Sequence, residues 1–437
     1  MTDPRNNRSA DILNWIIALW IVWSIIRWIL QIQNWILNGL TIFLFPVISL
    51  VAIILCSLFT ERCIITPYVF FPLAYHIYMI ARHCLNGDIM NHGSSDIYTL
   101  MICLVCLMSF SEDEFTDRFD FICRSLLYSS IAVAVLSYAQ LFLDTGTIFP
   151  PIGSRIGGIT PGPNPFGHIV SYGFVFGLCS FLLVPQRKST WVLLPINAIL
   201  LVKTLLDTQS RASMLFTIVS LAGLAIMYFV FWRKTLPTVQ SRVIMAIILV
   251  CILIVLVTLL LFITSVQFRG IILNLLRVPN TPGDSLSDAL RNTLAAMKDA
   301  TARAELRALT LQAWKANVLF GVTVRDAVTG YTQNFGDFNG SHNSFIQVLA
   351  TLGVFGLILF VITLLSSFAY LISSTARTKH PKTKTIGLFS IVVFIAIMID
   401  SCFENLLYCS LSFMVICAFF IITTGYQLKH IVDKERT

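Results

Sequence analysis

The feature that most constrains the fold is a series of long apolar runs. Stretches such as 35–58, 121–143, 165–185, 212–232 and 241–266 carry few or no charged side chains. Each extends for about 20 residues, the length that a helix needs to cross a bilayer. Asp, Glu, Lys and Arg make up only 12% of the 437 residues, about half their share in a soluble domain. Because a helix satisfies its own backbone in lipid, the sequence predicts an all-α polytopic membrane protein.

Basic residues predict how the chain crosses the membrane. We predict about twelve spans, at 12–31, 35–58, 64–80, 97–111, 121–143, 165–185, 189–206, 212–232, 241–266, 343–373, 385–402 and 405–428. With a cytoplasmic N-terminus, the short inner connections and the tail follow the positive-inside rule. Their basic residues are Arg187, Lys188, Arg233, Lys234, Arg242, Arg377, Lys379, Lys382, Lys384, Lys429, Lys434 and Arg436. No small-residue cleavage site follows the first apolar run, so we expect that run to stay in the protein.

One long connection divides the chain into three parts. We predict membrane helices in 1–266, a large outer loop in 267–342, and further membrane helices with a cytoplasmic tail in 343–437. Leucines recur at helical spacing in 284–316, which indicates one or two amphipathic helices covering the outer helix ends. The acidic segment 111–120 is predicted to be an inner loop.

Several classes of function are disfavoured by composition. The net charge of +8 comes from scattered loop residues, without the basic helix or stacking platform of a nucleic-acid-binding protein. Most of the 11 cysteines lie in apolar runs, where they act as small hydrophobic residues. His83 and His92 share a predicted outer loop but lack a third ligand, so we expect no metal site. No motif of a nucleotide or cofactor site occurs, and no cofactor is expected.

Polar residues from five segments meet at the outer face in this topology. They are Arg155, Arg211, Arg303, Arg307, His342, Asn343, Asp400 and Glu404. The planar fork of arginine suits a phosphate or pyrophosphate. Each arginine also has a structural explanation: Arg155 as a solvated turn residue and Arg211 as an interfacial anchor. Arg303 and Arg307 share a helix face, where Glu305 or lipid phosphates could be their partners.

Two helix starts are predicted near these residues. Asn164 followed by Pro165 is typical of an N-cap and a first helical position, which would direct helix amides towards an anion in the outer cleft. His342 lies beside a second N-cap, either Ser341 or Asn343. The positive helix end favours a neutral imidazole, which can accept a proton from a hydroxyl.

Two pairs one helical turn apart extend this polar region. Asn343 and Gln347 would continue the polar face inward from His342. Asp400 and Glu404 have the same spacing and could orient a base or hold an arginine.

The run SHNSFIQVLATLGVFGLILF resembles a known signature. It is similar to the pattern HN-x-x-(L/I/F)-Q-x-L-x-x-x-G-x-x-G of the O-antigen ligase and polymerase superfamily of bacterial membrane glycosyltransferases. Upstream, RAELRALTLQAWKANVLFG is similar in spacing to the arginine, tryptophan-containing helix and glycine turn of that family, with Val318 in place of the usual proline. The loop around Arg155 and the segment SRASML also resemble family motifs, so the resemblance covers 150–365.

The resemblance implies a fold and an activity. The fold would have about twelve membrane helices with a large periplasmic loop, of the GT-C kind. The activity would be a metal-independent transfer of a glycan from undecaprenyl pyrophosphate to an acceptor hydroxyl, at the periplasmic face of the bacterial inner membrane. The acceptor is the lipid A core in the ligases and a second lipid-linked repeat unit in the polymerases.

The resemblance also implies roles for individual residues. Arg155, Arg211 and Arg303 become candidates to bind and neutralise the pyrophosphate, with Arg307 as an alternative to Arg303. His342 becomes the candidate base, or the group that orients the acceptor hydroxyl.

Four readings of the function stay open. The intact histidine signature favours the ligase over the polymerase in O-antigen and lipopolysaccharide synthesis. A transporter of lipid-linked glycans is a third reading, although internal repeats or ionisable groups at the midplane would be typical of it. A non-catalytic scaffold for glycan assembly is the fourth, but it would leave the clustering of arginines with His342 unexplained. Membrane lipids and lipid-linked glycans are the expected partners, and nucleic acid is not.

Overall fold

A computed structural model provides the three-dimensional description of the chain. It describes residues 67–86, 112–150, 154–160, 162–183, 188–234, 238–265, 301–323, 341–404 and 412–434, together with isolated positions at 15, 19, 22, 51, 270, 273, 285–288, 291 and 327.

Every regular element in the described residues is a helix. The long helices are α1 Phe70–Asn86, α2 Glu112–Thr145, α3 Pro163–Leu183, α4 Lys188–Thr208, α5 Arg211–Val230, α6 Thr238–Thr264, α7 Thr301–Trp314, α8 Ser344–Arg377, α9 Pro381–Ser401 and α10 Ser412–Lys434. Single 3-10 turns lie at Pro67–Val69 and Trp232–Lys234.

The prediction of an all-α polytopic membrane protein is confirmed. Within the described ranges, six helices are long and apolar enough to cross a membrane, namely α2, α3, α4, α5, α8 and α9. They coincide with six of the predicted spans. The predicted spans at 12–31, 35–58 and 97–111 lie outside the described residues, apart from isolated positions. The number of twelve spans, the GT-C-like arrangement and the three-part division therefore stay predictions.

Two local predictions were wrong. Residues 112–120 begin α2 and do not form an inner loop. Acidic side chains are favourable in the first turn of a helix. Farther along the helix, Asp120 accepts a hydrogen bond from Ser180 at 2.5 Å and lies 3.1 Å from Arg124. In addition, α1 continues to Asn86, beyond the predicted end of its span, so His83 is a buried helical residue.

Helix α3 occupies the centre of the described bundle. Every residue from Phe166 to Leu183 is buried, and the helix packs against α2, α4, α5 and α9. A helix that is surrounded by other helices has no face towards water. The polar residues of α3 near its first turn therefore point at other protein groups.

Helix α8 is interrupted at Gly353, where φ is 69° and ψ is −171°. The segment 318–322 fills the interruption. Its Val322 amide donates to the Ala350 carbonyl at 2.8 Å, and the Val354 amide donates to the Val318 carbonyl at 3.0 Å. The freed backbone groups of α8 are thus satisfied inside the bundle.

A second glycine makes this contact possible. Gly321 has φ 74°, and a Cβ built on it would lie 2.4 Å from the Thr351 carbonyl carbon. Helix α1 holds the junction from the other side, where Tyr78 donates to the Leu352 carbonyl at 2.9 Å and Arg82 donates to the Gly321 carbonyl at 3.2 Å.

We expect Gly321→Ala to lower the thermal unfolding midpoint in detergent more than Gly146→Ala does. Both glycines have a positive φ, but a Cβ at Gly146 would meet nothing within 4 Å. Gly146→Ala therefore carries only the left-handed backbone cost of ~1 kcal/mol. Gly321→Ala adds a backbone clash of about 1–3 kcal/mol. Equal shifts of the two midpoints would contradict the described fit of 318–322 into α8.

Candidate active site

The polar residues of interest lie at one end of the bundle, which we call the site end. There α2, α4 and α9 finish, and α3, α5 and α8 begin. The segment 154–160 connects α2 to α3 across this end. It is held by the Ile156 amide, which donates to the Asp207 carbonyl at 3.1 Å, and by the Ile159 amide, which donates to Ser137 Oγ at 3.2 Å.

These anchors place Arg155 at the entrance of the site. Its Nε donates to the carbonyl of Thr208 at 2.8 Å, and a terminal nitrogen donates to Asn164 Oδ1 at 2.7 Å. The side chain is otherwise exposed. Arg155 is therefore oriented by two contacts while it still faces solvent, as an anion-binding arginine must.

Asn164 connects Arg155 to a carboxylate. The prediction that Asn164 caps α3 was wrong, because the helix already begins at Pro163. Its side chain instead forms hydrogen bonds with two other segments. Oδ1 accepts from Arg155, and Nδ2 donates to Glu404 Oε1 at 2.7 Å.

Glu404 follows the end of α9, and each of its carboxylate oxygens accepts a hydrogen bond. Its Oε1 accepts from Asn164, and its Oε2 lies 2.9 Å from Nδ1 of His342. A carboxylate only accepts hydrogen bonds, so Nδ1 of His342 donates to Glu404. The side chains of His342 and Glu404 are 20% and 10% exposed, which leaves the imidazole accessible from the site end.

The segment that carries His342 is tightly held. His342 itself has a left-handed backbone with φ 49°. Asn343 is the N-cap of α8, since its Oδ1 accepts from the Ile346 amide at 3.0 Å, and its Nδ2 donates to the Cys402 carbonyl at 3.1 Å. This decides between the two predicted caps. The buried Gln347 accepts from the Ser341 amide at 3.0 Å and fixes the approach to the helix.

The other predicted arginines occupy different positions. Arg307 on α7 donates to the carbonyl of Cys402 at 3.0 Å and to that of His342 at 3.4 Å, so it ties α7 to the His342 segment. Arg303 lies one turn earlier on α7, and its side chain falls outside the described residues. Arg211 is the first residue of α5, after the N-cap Ser210, and is exposed at the site end.

One residue of the site was missed by the sequence analysis. His168, one turn into α3, is wholly buried, and its Nε2 lies 2.8 Å from Oδ2 of the equally buried Asp400. Its Nδ1 lies 2.8 Å from the Asn164 carbonyl and 3.0 Å from Ser213 Oγ on α5. An ionisable residue within an apolar run is functional by default in a membrane protein, and that signal could have found it.

The two acidic residues and their partners form two levels between α3 and α9. Asn164 pairs with Glu404 at the surface, and His168 pairs with Asp400 one turn deeper. Both pairs of positions are four residues apart, and Glu404 lies three residues beyond the end of α9. The start of α3 therefore meets the end of α9 and the turn after it at these two levels.

The arrangement combines an oriented arginine with an oriented imidazole. Arg155, Asn164, Glu404 and His342 come from separate segments and are joined by consecutive contacts of 2.7–2.9 Å. Such a site can bind an anion and accept a proton. Among the described residues, no group of three or more His, Cys, Asp or Glu is placed to hold a metal ion.

The fold and the site together define a polytopic, all-helical membrane protein with a polar site at one end of its bundle. The family model described as O-antigen ligase matches residues 196–361. This match confirms that residues 196–361 resemble the O-antigen ligase family. The matched part includes His342, Asn343 and Gln347, whereas Arg155, Asn164, Asp400 and Glu404 lie outside it. No curated protein matches the chain.

We expect Arg307→Ala to loosen α7 from the site end. Two hydrogen bonds from a charged donor are lost, at ~1.5–3 kcal/mol each, so amide hydrogen exchange across residues 301–314 should rise by at least about tenfold. Glu305→Ala is the matched control, because Glu305 is an exposed residue of the same helix. Unchanged exchange in Arg307→Ala would show that its two contacts do not hold α7.

Proposed function

We propose that the protein is a membrane glycosyltransferase that transfers a glycan from undecaprenyl pyrophosphate to an acceptor hydroxyl. The single observation that carries this proposal is the connected series from Arg155 through Asn164 and Glu404 to His342. It supports the proposal because it joins an arginine, which can bind an anion, to an imidazole, which can accept a proton, and this transfer needs both. The family match over 196–361 supports the same class of reaction.

His342 is the general base in this proposal. Its Nδ1 donates to Glu404, and we assign Nε2 to take the proton of the acceptor hydroxyl. Glu404 then stabilises the imidazolium that forms, as the carboxylate does in other oriented imidazole bases. The hydroxyl oxygen bonds to the anomeric carbon of the donor glycan as its proton leaves.

The arginines act on the leaving group. The bond between the anomeric carbon and the phosphate oxygen breaks, and undecaprenyl pyrophosphate departs with the electron pair. Arg155, Arg211 and Arg303 balance the negative charge that develops on it. For Arg155, the contacts to Asn164 and Thr208 fix the guanidinium in advance, so little reorganisation is needed during the reaction.

Three further predicted substrate-binding residues have backbone partners. Arg307, Asn343 and Gln347 bond to backbone groups of the segments that carry His342 and Glu404. We assign them to holding these segments. The acceptor that we propose is the lipid A core, which makes the protein an O-antigen ligase, and the transfer takes place at the periplasmic face of the inner membrane.

We expect Glu404→Gln to abolish transfer without unfolding the protein. Glutamine can still accept from Asn164, but its amide nitrogen donates towards Nδ1 of His342 and forces the proton to Nε2. The imidazole then has no lone pair for the acceptor, and kcat should fall by about 10²–10⁴-fold. The assay uses purified protein, an undecaprenyl-pyrophosphate oligosaccharide and lipid A core, in the presence of EDTA.

His342→Ala should lose activity to the same degree, and Glu305→Ala serves as the active control. A second reaction contains the donor alone. Glycosylated lipid A core supports the ligase, whereas elongated donor in both reactions identifies a polymerase instead. Folded wild-type protein that forms neither product would overturn the proposed function, and wild-type activity in Glu404→Gln would overturn the role of His342 as the base.

We expect the site end to face the periplasm. Cys402 is exposed beside Glu404, so a variant that keeps this cysteine alone should react with a membrane-impermeant maleimide in intact cells. In the control, Lys379→Cys places the only cysteine at the exposed turn between α8 and α9, at the opposite end. It should react only after the membrane is disrupted. The reverse pattern of labelling would place the site in the cytoplasm.

A further inference from the structure

The pair formed by His168 and Asp400 is not explained by the proposed chemistry. Both side chains are 0% exposed, and Oδ2 and Nε2 are 2.8 Å apart. They lie one helical turn below Asn164 and Glu404, away from the accessible imidazole of His342. Ionisable side chains are costly to bury and are retained in a bundle when they are paired.

The hydrogen-bond partners define the protons of the pair. The Asn164 carbonyl can only accept, so Nδ1 of His168 carries a proton. Nε2 and Oδ2 then share one further proton between them. Whichever atom holds it, the pair has no net charge, and it can be buried without a separate counter-ion.

The pair connects three helices directly beneath the site. His168 belongs to α3, Asp400 to α9, and Ser213, 3.0 Å from Nδ1, to α5. The close approach of α3 and α5 depends on Gly167, because a Cβ there would lie 2.6 Å from Ser213 Oγ. The backbone carbonyl of Asp400 also accepts from the amides of Phe403 and Glu404 at 2.8 and 2.9 Å.

We propose that His168 and Asp400 form a positioning pair for the reaction. The pair sets the distance between α3 and α9 one turn below the surface, so that Asn164 reaches Glu404 and Glu404 holds the imidazole of His342. Neither member touches the substrate, and no proton leaves the pair during turnover. This inference rests on the function proposed above for the catalytic step, but the geometric part of it can be measured without activity.

The test compares His168→Ala, His168→Asn, Asp400→Ala and Asp400→Asn. An asparagine at position 400 is isosteric and can donate to Nε2 of a neutral His168, so it keeps the contact and removes the acid. An asparagine at position 168 keeps the donor to the Asn164 carbonyl and loses the contact with Asp400. It provides a second variant if His168→Ala fails to fold.

Ser180→Ala is the matched control. Ser180 is a buried residue of the same helix, and its hydroxyl donates to Asp120 at the opposite end of the bundle. Its substitution removes a buried hydrogen bond of α3 without affecting the site. It therefore reports what a purely structural weakening of α3 does to the measured quantities.

Two quantities are measured for each variant: kcat per folded molecule, and amide hydrogen exchange in residues 402–404. His168→Ala, His168→Asn and Asp400→Ala should lower kcat by about 10- to 100-fold, as expected for a small displacement of catalytic groups. They should also speed exchange at 402–404, because the amides of Phe403 and Glu404 bond to the backbone carbonyl of Asp400, and the pair fixes the position of that carbonyl. Asp400→Asn should retain most of the wild-type kcat, and its amide exchange at 402–404 should stay as slow as in the wild type. Ser180→Ala should leave both quantities unchanged.

Each other result overturns a specific statement. Unchanged exchange and kcat in His168→Ala and His168→Asn would remove the positioning role. Loss of activity in Asp400→Asn equal to that in Asp400→Ala would show that the acid itself is needed, which contradicts an uncharged positioning pair. The wild type could lack transfer activity while the exchange pattern is as expected. In that case the pair still positions Glu404, and only the proposed function is overturned.

Discussion

The carboxylate of Glu404 is the interaction on which the site depends. Its two oxygens accept from Asn164 and from His342, which belong to different parts of the bundle. A buried carboxylate is costly unless its oxygens are hydrogen-bonded, and both donors meet this need. Asn164 also accepts from Arg155. One charged group therefore links the imidazole to the arginine.

This arrangement requires a helix that meets no lipid. Helix α3 is buried from Phe166 onwards, so its polar side chains can be matched only by other helices. That is the reason why a carboxylate, Asp400 at the end of α9 or Glu404 just after it, faces each of the two polar positions at the start of α3. A helix exposed to lipid would have placed His168 where no partner could lower its cost of burial.

Sequence patterns predicted six spans that the structure describes, because apolar length is a local property. Arg155, Asn164, His342, Asp400 and Glu404 were candidates from the sequence, since polar residues at helix ends are conspicuous in such a chain. What connects them was not predictable, because the partners of Asn164 and His168 lie more than 200 residues away, at or just after the end of α9. His168 itself could have been found, because it is an ionisable residue in an apolar run. The start of α2 was missed because an acidic segment suits both a loop and a helix N-terminus.

The interruption of α8 explains how the site is held from its other side. His342 has a left-handed backbone, which costs a non-glycine residue about 1–3 kcal/mol and persists only where neighbours enforce it. Arg307 bonds its carbonyl, and α7 is fixed in turn because the segment after it fills the break at Gly353. Gly321 and Gly353 lie on separate segments, and their close packing thus helps to fix the backbone of His342 without contacting it. The contact with Glu404 holds the side chain of His342, and the contact with Arg307 of α7 holds its backbone.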